Sequence, residues 1–284
     1  MSDSYQLVQL KNETWSVRSL AEGETFHPVV GPVAEAEELY VRQLRLEERL
    51  PVHLDEEWVV WDVGLGAAAN ILSVLKALRG RHPRVRVMSF DHTLEPLRFA
   101  LSHADRLGYF EGFEPWVRSL LDQGQLRLDL PDFSLDWAVV ESDFPKALAS
   151  PAAANWPAPH AILFDAFSPA RNPIMWSLPL FTRLQACTRP DRPCLLPTYS
   201  RATLLRVTLL LAGWYVGVGQ ATGEKEETTI ASNVPELIRQ PLDRAWLQRA
   251  RRSTSAEPIH DGVYRQQPLS ESSWTRLLAH AQFR

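Results

Sequence analysis

The sequence predicts an α/β protein built around a mostly parallel β-sheet, and three observations support this fold class. From Trp58 to Ser232, short apolar segments alternate with amphipathic ones, which is typical of βαβ units. Gly80 and Gly108 follow two of the amphipathic segments, as expected where a helix stops. No apolar run reaches the roughly 18 residues of a membrane-spanning helix.

The predicted elements follow one another in a regular order after an initial strand (YQLVQL) and a helix (VAEAEELYVRQLRLEERL). The later strands are WVVWDVG, RVRVMSFD, LRLDLPD, LDWAVVESD, AILFDAF, PCLLPTYS, YVGVGQ and EETTIAS. The later helices are AAANILSVLKALRG, TLEPLRFALSHADRLG, FEPWVRSLLDQG, MWSLPLFTRLQACTR and ATLLRVTLLLAGW. We therefore expect an N-terminal extension over residues 1–50, an α/β domain over 51–234 and a C-terminal extension over 235–284.

Composition limits the possible partners and the compartment. The net charge of -4 disfavours a strongly basic nucleic-acid surface but leaves room for a local basic patch. Cys187 and Cys194 have no CxxC or metal-ligand spacing, so we expect a reduced, cytoplasmic compartment and no metal. The N-terminus lacks the basic and apolar regions of a secretory signal.

Polar residues and glycines at three successive strand ends predict a nucleoside site. Gly64 and Gly66 form a G-x-G turn after the first strand of the domain, where glycine permits a sharp bend close to a ligand. Asp91 ends the next strand, 25 positions after Gly66, where an acid can accept both hydroxyls of a ribose. Asp143 follows a further strand and can cap a helix or accept from an adenine amino group. The combination favours a bound nucleoside over an empty sheet edge.

The glycine turn favours S-adenosylmethionine over NAD as this nucleoside. Ala69 stands where a dinucleotide fingerprint requires a third glycine. S-adenosylmethionine has no pyrophosphate, so a looser turn is sufficient for it. Asp165 ends the following strand of the alternating pattern, beside the expected position of the reactive methyl group.

The segment FDAFSPARNPIMW, with LFTRL after it, carries the most specific pattern in the chain. Together with the G-x-G turn and its trailing Asn70, SFDHTLEPL, the SD at 142–143 and GEKEE, it resembles one known family over residues 24–232. That family is the methyltransferase domain of the bacterial tRNA 5-methylaminomethyl-2-thiouridine-forming enzyme (MnmC-type), including its stand-alone members that lack the flavin oxidase domain.

The resemblance implies a class I S-adenosylmethionine-dependent methyltransferase fold, Rossmann-like, with a seven-stranded mostly parallel sheet. It implies methylation of the aminomethyl group of a modified wobble uridine in tRNA, with Asp165 as the catalytic carboxylate. The residues implied to bind cofactor are Gly64, Gly66, Asn70, Asp91, Asp143 and Asp165. Those implied to bind the tRNA substrate are Phe167, Arg171, Asn172, Trp176 and Lys225.

Two other functions are compatible with the residues. One is a methyl- or aminopropyl-transferase acting on a small-molecule amine. The other is a non-catalytic adenosyl-binding protein, for which Ala67–Ala69 in the glycine turn would be the sign.

Residues outside these motifs receive simpler interpretations. His27 is interpreted as a loop or capping histidine rather than a base. Glu35 and Tyr40 are assigned by default to a helix surface, with closure over the cofactor as the alternative. Arg206 is a candidate tRNA contact on a solvated helix face, and the basic run at 244–252 is a weaker one.

Overall fold

The computed structural model describes residues 4–50, 56–81, 83–223 and 226–284. The predicted substrate residue Lys225 lies outside these ranges. The strands in the described part of the chain are β1 (Tyr5–Gln9), β2 (Trp15–Ser19), β3 (Glu57–Val63), β4 (Arg84–Asp91), β5 (Gln125–Leu130), β6 (Phe133–Glu141), β7 (Ala161–Phe164), β8 (Leu195–Thr198), β9 (Tyr215–Gly219) and β10 (Thr228–Ser232).

The central sheet confirms the α/β fold class and contains one strand more than the seven that the resemblance implies. Among the described residues, its order is β5-β6-β4-β3-β7-β8-β10-β9, eight strands, and β1 and β2 form a separate antiparallel pair. Strands β6, β4, β3, β7 and β8 are parallel, whereas β5 and β10 run antiparallel to their neighbours. The additional strand is β5: only Pro131 and Asp132 separate it from β6, so the two strands form a hairpin at the sheet edge.

The α-helices are α1 (Pro32–Ala36), α2 (Leu46–Arg49), α3 (Ala69–Leu78), α4 (Glu95–Ser102), α5 (Ala104–Leu107), α6 (Glu114–Gln123), α7 (Phe144–Ala149), α8 (Leu178–Ala186), α9 (Thr203–Leu211), α10 (Arg244–Arg252) and α11 (Glu271–Leu278). Two predicted helices are interrupted. The first divides into α1, a π-helical segment (Glu37–Arg42) and α2, with Arg45 in the left-handed region at φ 52°. The second breaks at His103, between α4 and α5.

The C-terminal segment packs on the sheet. Trp246, Leu247 and Phe283 are buried in the same apolar cluster as the inner side chains of β7 and β8. The Gln282 side chain accepts from the backbone N–H of Val216 in β9 (2.8 Å) and donates to its carbonyl oxygen (2.8 Å). The division at residue 235 remains a prediction.

The strand order determines where a ligand binds. From β3 the chain proceeds outward through β4 and β6, then returns to the other side of β3 as β7. The loops after β3 and β7 therefore leave the sheet in different directions and open a crevice at the carboxyl edge, the usual ligand position in such sheets.

Candidate active site

A cavity of about 610 Å³ opens at this carboxyl edge. It lies within the size range of small-ligand sites. The loops that follow β3, β4, β6 and β7 supply one side, and a segment at residues 22–28 covers the other. Within the described ranges, the predicted residues that line it are Gly64, Gly66, Asn70, Asp91, Asp143, Asp165, Phe167, Arg171 and Asn172.

The glycine turn needs glycine for conformation and for space. Gly64 and Gly66 have φ of 91° and 50°, in the region that side chains disfavour. A Cβ at Gly64 would lie 2.5 Å from the backbone oxygen of Asp165, so the loops after β3 and β7 touch at this point. The Gly64 N–H donates to the carbonyl of Phe90 (2.9 Å), which connects the turn to β4 as well.

The two acids predicted to hold the nucleoside lie on adjacent strand ends. One Asp91 carboxylate oxygen accepts from the Gly66 N–H (2.8 Å), and the other lies 3.0 Å from His92 Nδ1. Asp143 caps α7 by accepting from the backbone N–H of Lys146 (3.1 Å), as its position predicted. Both carboxylates also line the cavity.

Asp165 lines the crevice between the loops after β3 and β7. It follows β7 directly, and its N–H donates to the carbonyl of Val63 at the end of β3 (3.0 Å). Its Oδ2 accepts from Asn70 Nδ2 (2.7 Å), and 20% of the side chain is exposed. Asn70 Oδ1 is buried and has no hydrogen-bond partner among the described residues. An acceptor lining the cavity without a donor fits a ligand that brings an N–H, as the amino-acid end of S-adenosylmethionine does.

A histidine and a glutamate that the sequence interpretation placed outside the site reach this carboxylate. His27 Nε2 lies 3.7 Å from Asp165 Oδ2, and His27 Nδ1 lies 3.6 Å from Glu35 Oε2. Glu35 was expected on a helix surface, but it is 9% exposed. Burial alone would lower the pKa of His27, but the neighbouring carboxylates of Glu35 and Asp165 raise it above its ordinary value.

Tyr40 also departs from the helix surface predicted for it. Its side chain is fully buried, and its hydroxyl donates to the carbonyl of Phe164 (3.2 Å). The contact fixes the last residue of β7, and thereby the start of the loop that carries Asp165.

The loop after Asp165 is attached on both sides. Glu24 accepts from the backbone N–H (3.3 Å) and hydroxyl (2.6 Å) of Ser168, so the N-terminal segment binds the loop directly. The Phe26 and Phe167 rings lie 5.7 Å apart between centroids and border the cavity together. Arg171 is exposed at the rim.

The prediction for Trp176 is wrong in its structural premise, because this ring has no free face. Trp176 is fully buried, packed edge-on against Phe164 and Tyr199. Its indole N–H donates to the carbonyl of Phe167 (2.7 Å). Trp176 therefore fixes the loop from the core side, and the ring that borders the cavity beside Phe167 is that of Phe26.

A buried acid missed in the sequence lies beneath the glycine turn. Asp62 is 1% exposed, and its Oδ2 accepts from Ser89 Oγ (2.8 Å). Burial raises the pKa of Asp62 to about 7, although the hydrogen bond from Ser89 opposes this shift. The charges of Asp91 and Asp165 add to the rise.

Asp62→Asn is expected to stabilise the fold increasingly as the pH rises. The native state keeps a proton on Asp62 that the unfolded chain, with a pKa near 3.8, releases earlier. Wild-type stability therefore falls from about pH 4 to pH 7, by on the order of a few kcal/mol. The difference in Tm between variant and wild type should grow over that interval and then stay level in thermal denaturation from pH 4 to 9. A difference independent of pH, as expected for the exposed control Asp122→Asn, would contradict the assignment.

The fold is that of class I S-adenosylmethionine-dependent methyltransferases, and the glycine turn and the acids lie at the carboxyl edge where such a sheet binds its ligand. Residues 113–234 match a family described as S-adenosyl-L-methionine-dependent methyltransferase. The chain is therefore a methyltransferase that uses S-adenosylmethionine, and the match supports this function over the non-catalytic alternative.

One sequence comparison and one structural comparison show which proteins this chain resembles. The chain is 26% identical over 270 residues to the tRNA 5-methylaminomethyl-2-thiouridine biosynthesis bifunctional protein MnmC of Aeromonas hydrophila. This alignment covers 89% of this chain and 39% of that protein. The chain is thus related to MnmC and spans about two fifths of its length. The structure aligns with the crystal structure of MnmC2 from Aquifex aeolicus with a TM-score of 0.67 and 21% identity, over 98% of this chain and 85% of that one. The latter likeness confirms the fold.

The described ranges contain neither a membrane-spanning helix nor a metal-binding cluster. No helix there is long and apolar enough to cross a membrane. No group of three or more His, Cys, Asp or Glu side chains there is arranged to hold a metal ion.

Proposed function

We propose that this chain transfers a methyl group to the aminomethyl nitrogen of a modified wobble uridine in tRNA. The observation that carries the proposal is the position of Asp165, a partly exposed carboxylate that lines the cavity directly after β7. The Aeromonas hydrophila relative, a protein of tRNA 5-methylaminomethyl-2-thiouridine biosynthesis, supports the tRNA substrate.

The charge of the cavity fits a cationic acceptor. Six carboxylate side chains line it: Glu22, Glu24, Glu35, Asp91, Asp143 and Asp165. Such a site attracts an ammonium group and a sulfonium, and it disfavours an anionic group at the position where the acceptor atom enters the cavity. The Phe26 and Phe167 rings supply apolar faces on which a base can stack.

The loop residues have distinct proposed roles at the substrate. Asp165 binds the ammonium group and aligns its nitrogen with the methyl group, since an amine attacks only when its lone pair is free and directed. Arg171 at the rim contacts phosphate, and Asn172 contacts a base edge. Lys225, outside the described residues, remains a proposed substrate contact from sequence alone.

The remaining polar residues hold the cofactor in this proposal. S-adenosylmethionine supplies an electrophilic methyl group on sulfur. Gly64 and Gly66 allow its close approach to the backbone, and Asn70 offers its unpaired Oδ1. Asp91 binds the ribose hydroxyls, and Asp143 accepts from the adenine amino group.

Asp91→Ala is expected to weaken S-adenosylmethionine binding by about 10- to 100-fold, since a hydrogen bond to a charged group contributes about 1.5–3 kcal/mol. The same change removes the acceptor of the Gly66 N–H, so the turn loses a support as well. Titration calorimetry measures the change in Kd, with the exposed Asp105→Ala as the matched control. Equal affinity in both variants would remove Asp91 from the ribose site.

The proposed function is tested by methyl transfer in vitro. Purified protein is incubated with methyl-labelled S-adenosylmethionine and with tRNA that carries the aminomethyl wobble uridine. Mass spectrometry of the digested nucleosides should then show that uridine heavier by one methyl group. The same tRNA lacking the aminomethyl group is the substrate control, and free 5-aminomethyluridine tests a small-molecule acceptor. A protein that binds the cofactor and leaves the wobble uridine unchanged would overturn the tRNA assignment.

A further inference from the structure

His27 occupies a backbone conformation that needs an explanation. Its φ is 49°, in the left-handed region that residues other than glycine rarely adopt. The preceding residue is anchored on β2, where the Phe26 N–H donates to Val17 O (2.8 Å) and the Ser16 hydroxyl donates to Phe26 O. Residues held in this way against local preference cluster at functional sites. Here the conformation brings the ring into the cavity, beside Asp165.

The surroundings of His27 form a chain of three titratable groups. Glu35, from α1, faces Nδ1, and Asp165, from the loop after β7, faces Nε2. The side chains of His27 and Glu35 are only 9% and 11% exposed. The nearby phenols Tyr40 and Tyr199 donate to the carbonyls of Phe164 and Ala166, and burial raises the pKa of both, so they stay neutral.

The proposed substrate presents a proton problem that this chain of groups can solve. The acceptor enters as an ammonium and must lose one proton before its nitrogen has a lone pair. A carboxylate such as Asp165 binds the ammonium well. A carboxylate with an unperturbed pKa is, however, too weak a base to remove a proton from an ammonium group efficiently. An imidazole between two carboxylates is a stronger base, because both negative charges favour its protonated form.

We propose that His27, supported by Glu35, receives the proton of the substrate ammonium while Asp165 holds the nitrogen in line. This inference rests on the proposed amine acceptor. In the step, an N–H bond breaks and the proton passes to His27 Nε2. The nitrogen then bonds to the methyl carbon as the S–C bond breaks, with that electron pair remaining on sulfur. The products are S-adenosylhomocysteine, the protonated secondary amine (R–NH2+–CH3), which Asp165 still holds, and an imidazolium, which returns its proton to solvent.

His27 can accept a proton only when it is neutral. This requirement determines how the rate of methyl transfer depends on pH. With tRNA and S-adenosylmethionine saturating, the rate should rise with pH through the raised pKa of His27 and then level off. Glu35→Gln removes the negative charge beside His27 Nδ1 that raises this pKa. The rising limb should therefore move to lower pH by at least about half a unit.

The test compares His27→Asn and Glu35→Gln with wild type in single-turnover methyl transfer from pH 5 to 9. Asparagine tolerates the left-handed conformation, so His27→Asn keeps the turn and removes the base. Its rate above the limb should fall by at least about 10-fold, and the limb should disappear. His260→Asn, an exposed histidine far along the chain, is the matched control. Calorimetry with S-adenosylmethionine and thermal melting establish that each variant is folded.

The outcomes separate this inference from the function it rests on. Wild-type protein that transfers no methyl group to the aminomethyl tRNA overturns both. Wild-type transfer with an unchanged rate and limb in His27→Asn overturns the inference alone. If His27→Asn does not fold, Glu35→Gln provides the test. A rate that rises over the same pH range as in wild type would assign His27 and Glu35 a purely structural role and overturn the inference.

Discussion

Asp165→Asn is expected to bind S-adenosylmethionine with nearly wild-type affinity and to lose methyl transfer by more than about 100-fold. The substitution keeps the size of the side chain, and the amide oxygen can still accept from Asn70 Nδ2, now 2.7 Å from the carboxylate. What is lost is the negative charge that binds the ammonium and supports protonated His27. The effect should therefore appear in the chemical step.

The measurement pairs calorimetry with single-turnover methyl transfer on the aminomethyl tRNA. Asp122→Asn, an exposed acid on α6, is the control for the general effect of removing one charge. Unchanged transfer would remove Asp165 from the mechanism. A large loss of cofactor affinity at an unchanged rate of transfer would reassign Asp165 to cofactor binding.

The sheet could be predicted because its strands are short apolar runs that end at glycines or acids. Parallel strands buried on both faces leave this signature in any sequence. The additional edge strand β5 was also predicted as a strand, but its partnership was not. Its two-residue link to β6 permits only an antiparallel hairpin, so LPD between two apolar segments was the available signal.

Features that depend on distant contacts could not be predicted. Arg206 was expected on a solvated helix face, but it is 2% exposed and donates to the Thr228 carbonyl (2.8 Å) and to Glu227 (3.1 Å). Similarly, helical periodicity continues through Arg45, yet the helix stops there and the Arg45 guanidinium donates to the Leu237 carbonyl (2.9 Å). In both cases the partner lies elsewhere in the chain, and periodicity carries no information about it.

The same distinction holds for the residues of the candidate site: those at strand ends could be predicted, and those brought in by distant contacts could not. Residues at strand ends were brought together as predicted, because the fold itself determines where strand ends meet. His27 and Glu35 come from a segment before the sheet begins, and nothing in their spacing indicates a contact with Asp165. The error for Trp176 has the opposite sign. It was predicted to line the site because it lies in the same loop sequence as Asp165, but its ring is buried in the core.

Gly64→Ala is expected to damage both the fold and the cofactor site, more than the φ of 91° alone explains. The new Cβ would lie 2.5 Å from the Asp165 backbone oxygen, and that atom belongs to a loop fixed by the Asp165 N–H bond to Val63. Neither backbone can move without opening the contact between the ends of β3 and β7. Overpacking of this kind costs about 1–3 kcal/mol in addition to the strain of the left-handed conformation.

Gly108→Ala separates the two contributions. Gly108 has a similar positive φ of 75°, but a Cβ there meets nothing within 4 Å. We expect Gly64→Ala to melt at least about 5 °C below Gly108→Ala and to bind S-adenosylmethionine at least about 10-fold more weakly. Equal melting temperatures and equal affinities would mean that the loops after β3 and β7 can move apart without a loss of stability. The close approach of Gly64 and Asp165 would then not be needed to form the crevice.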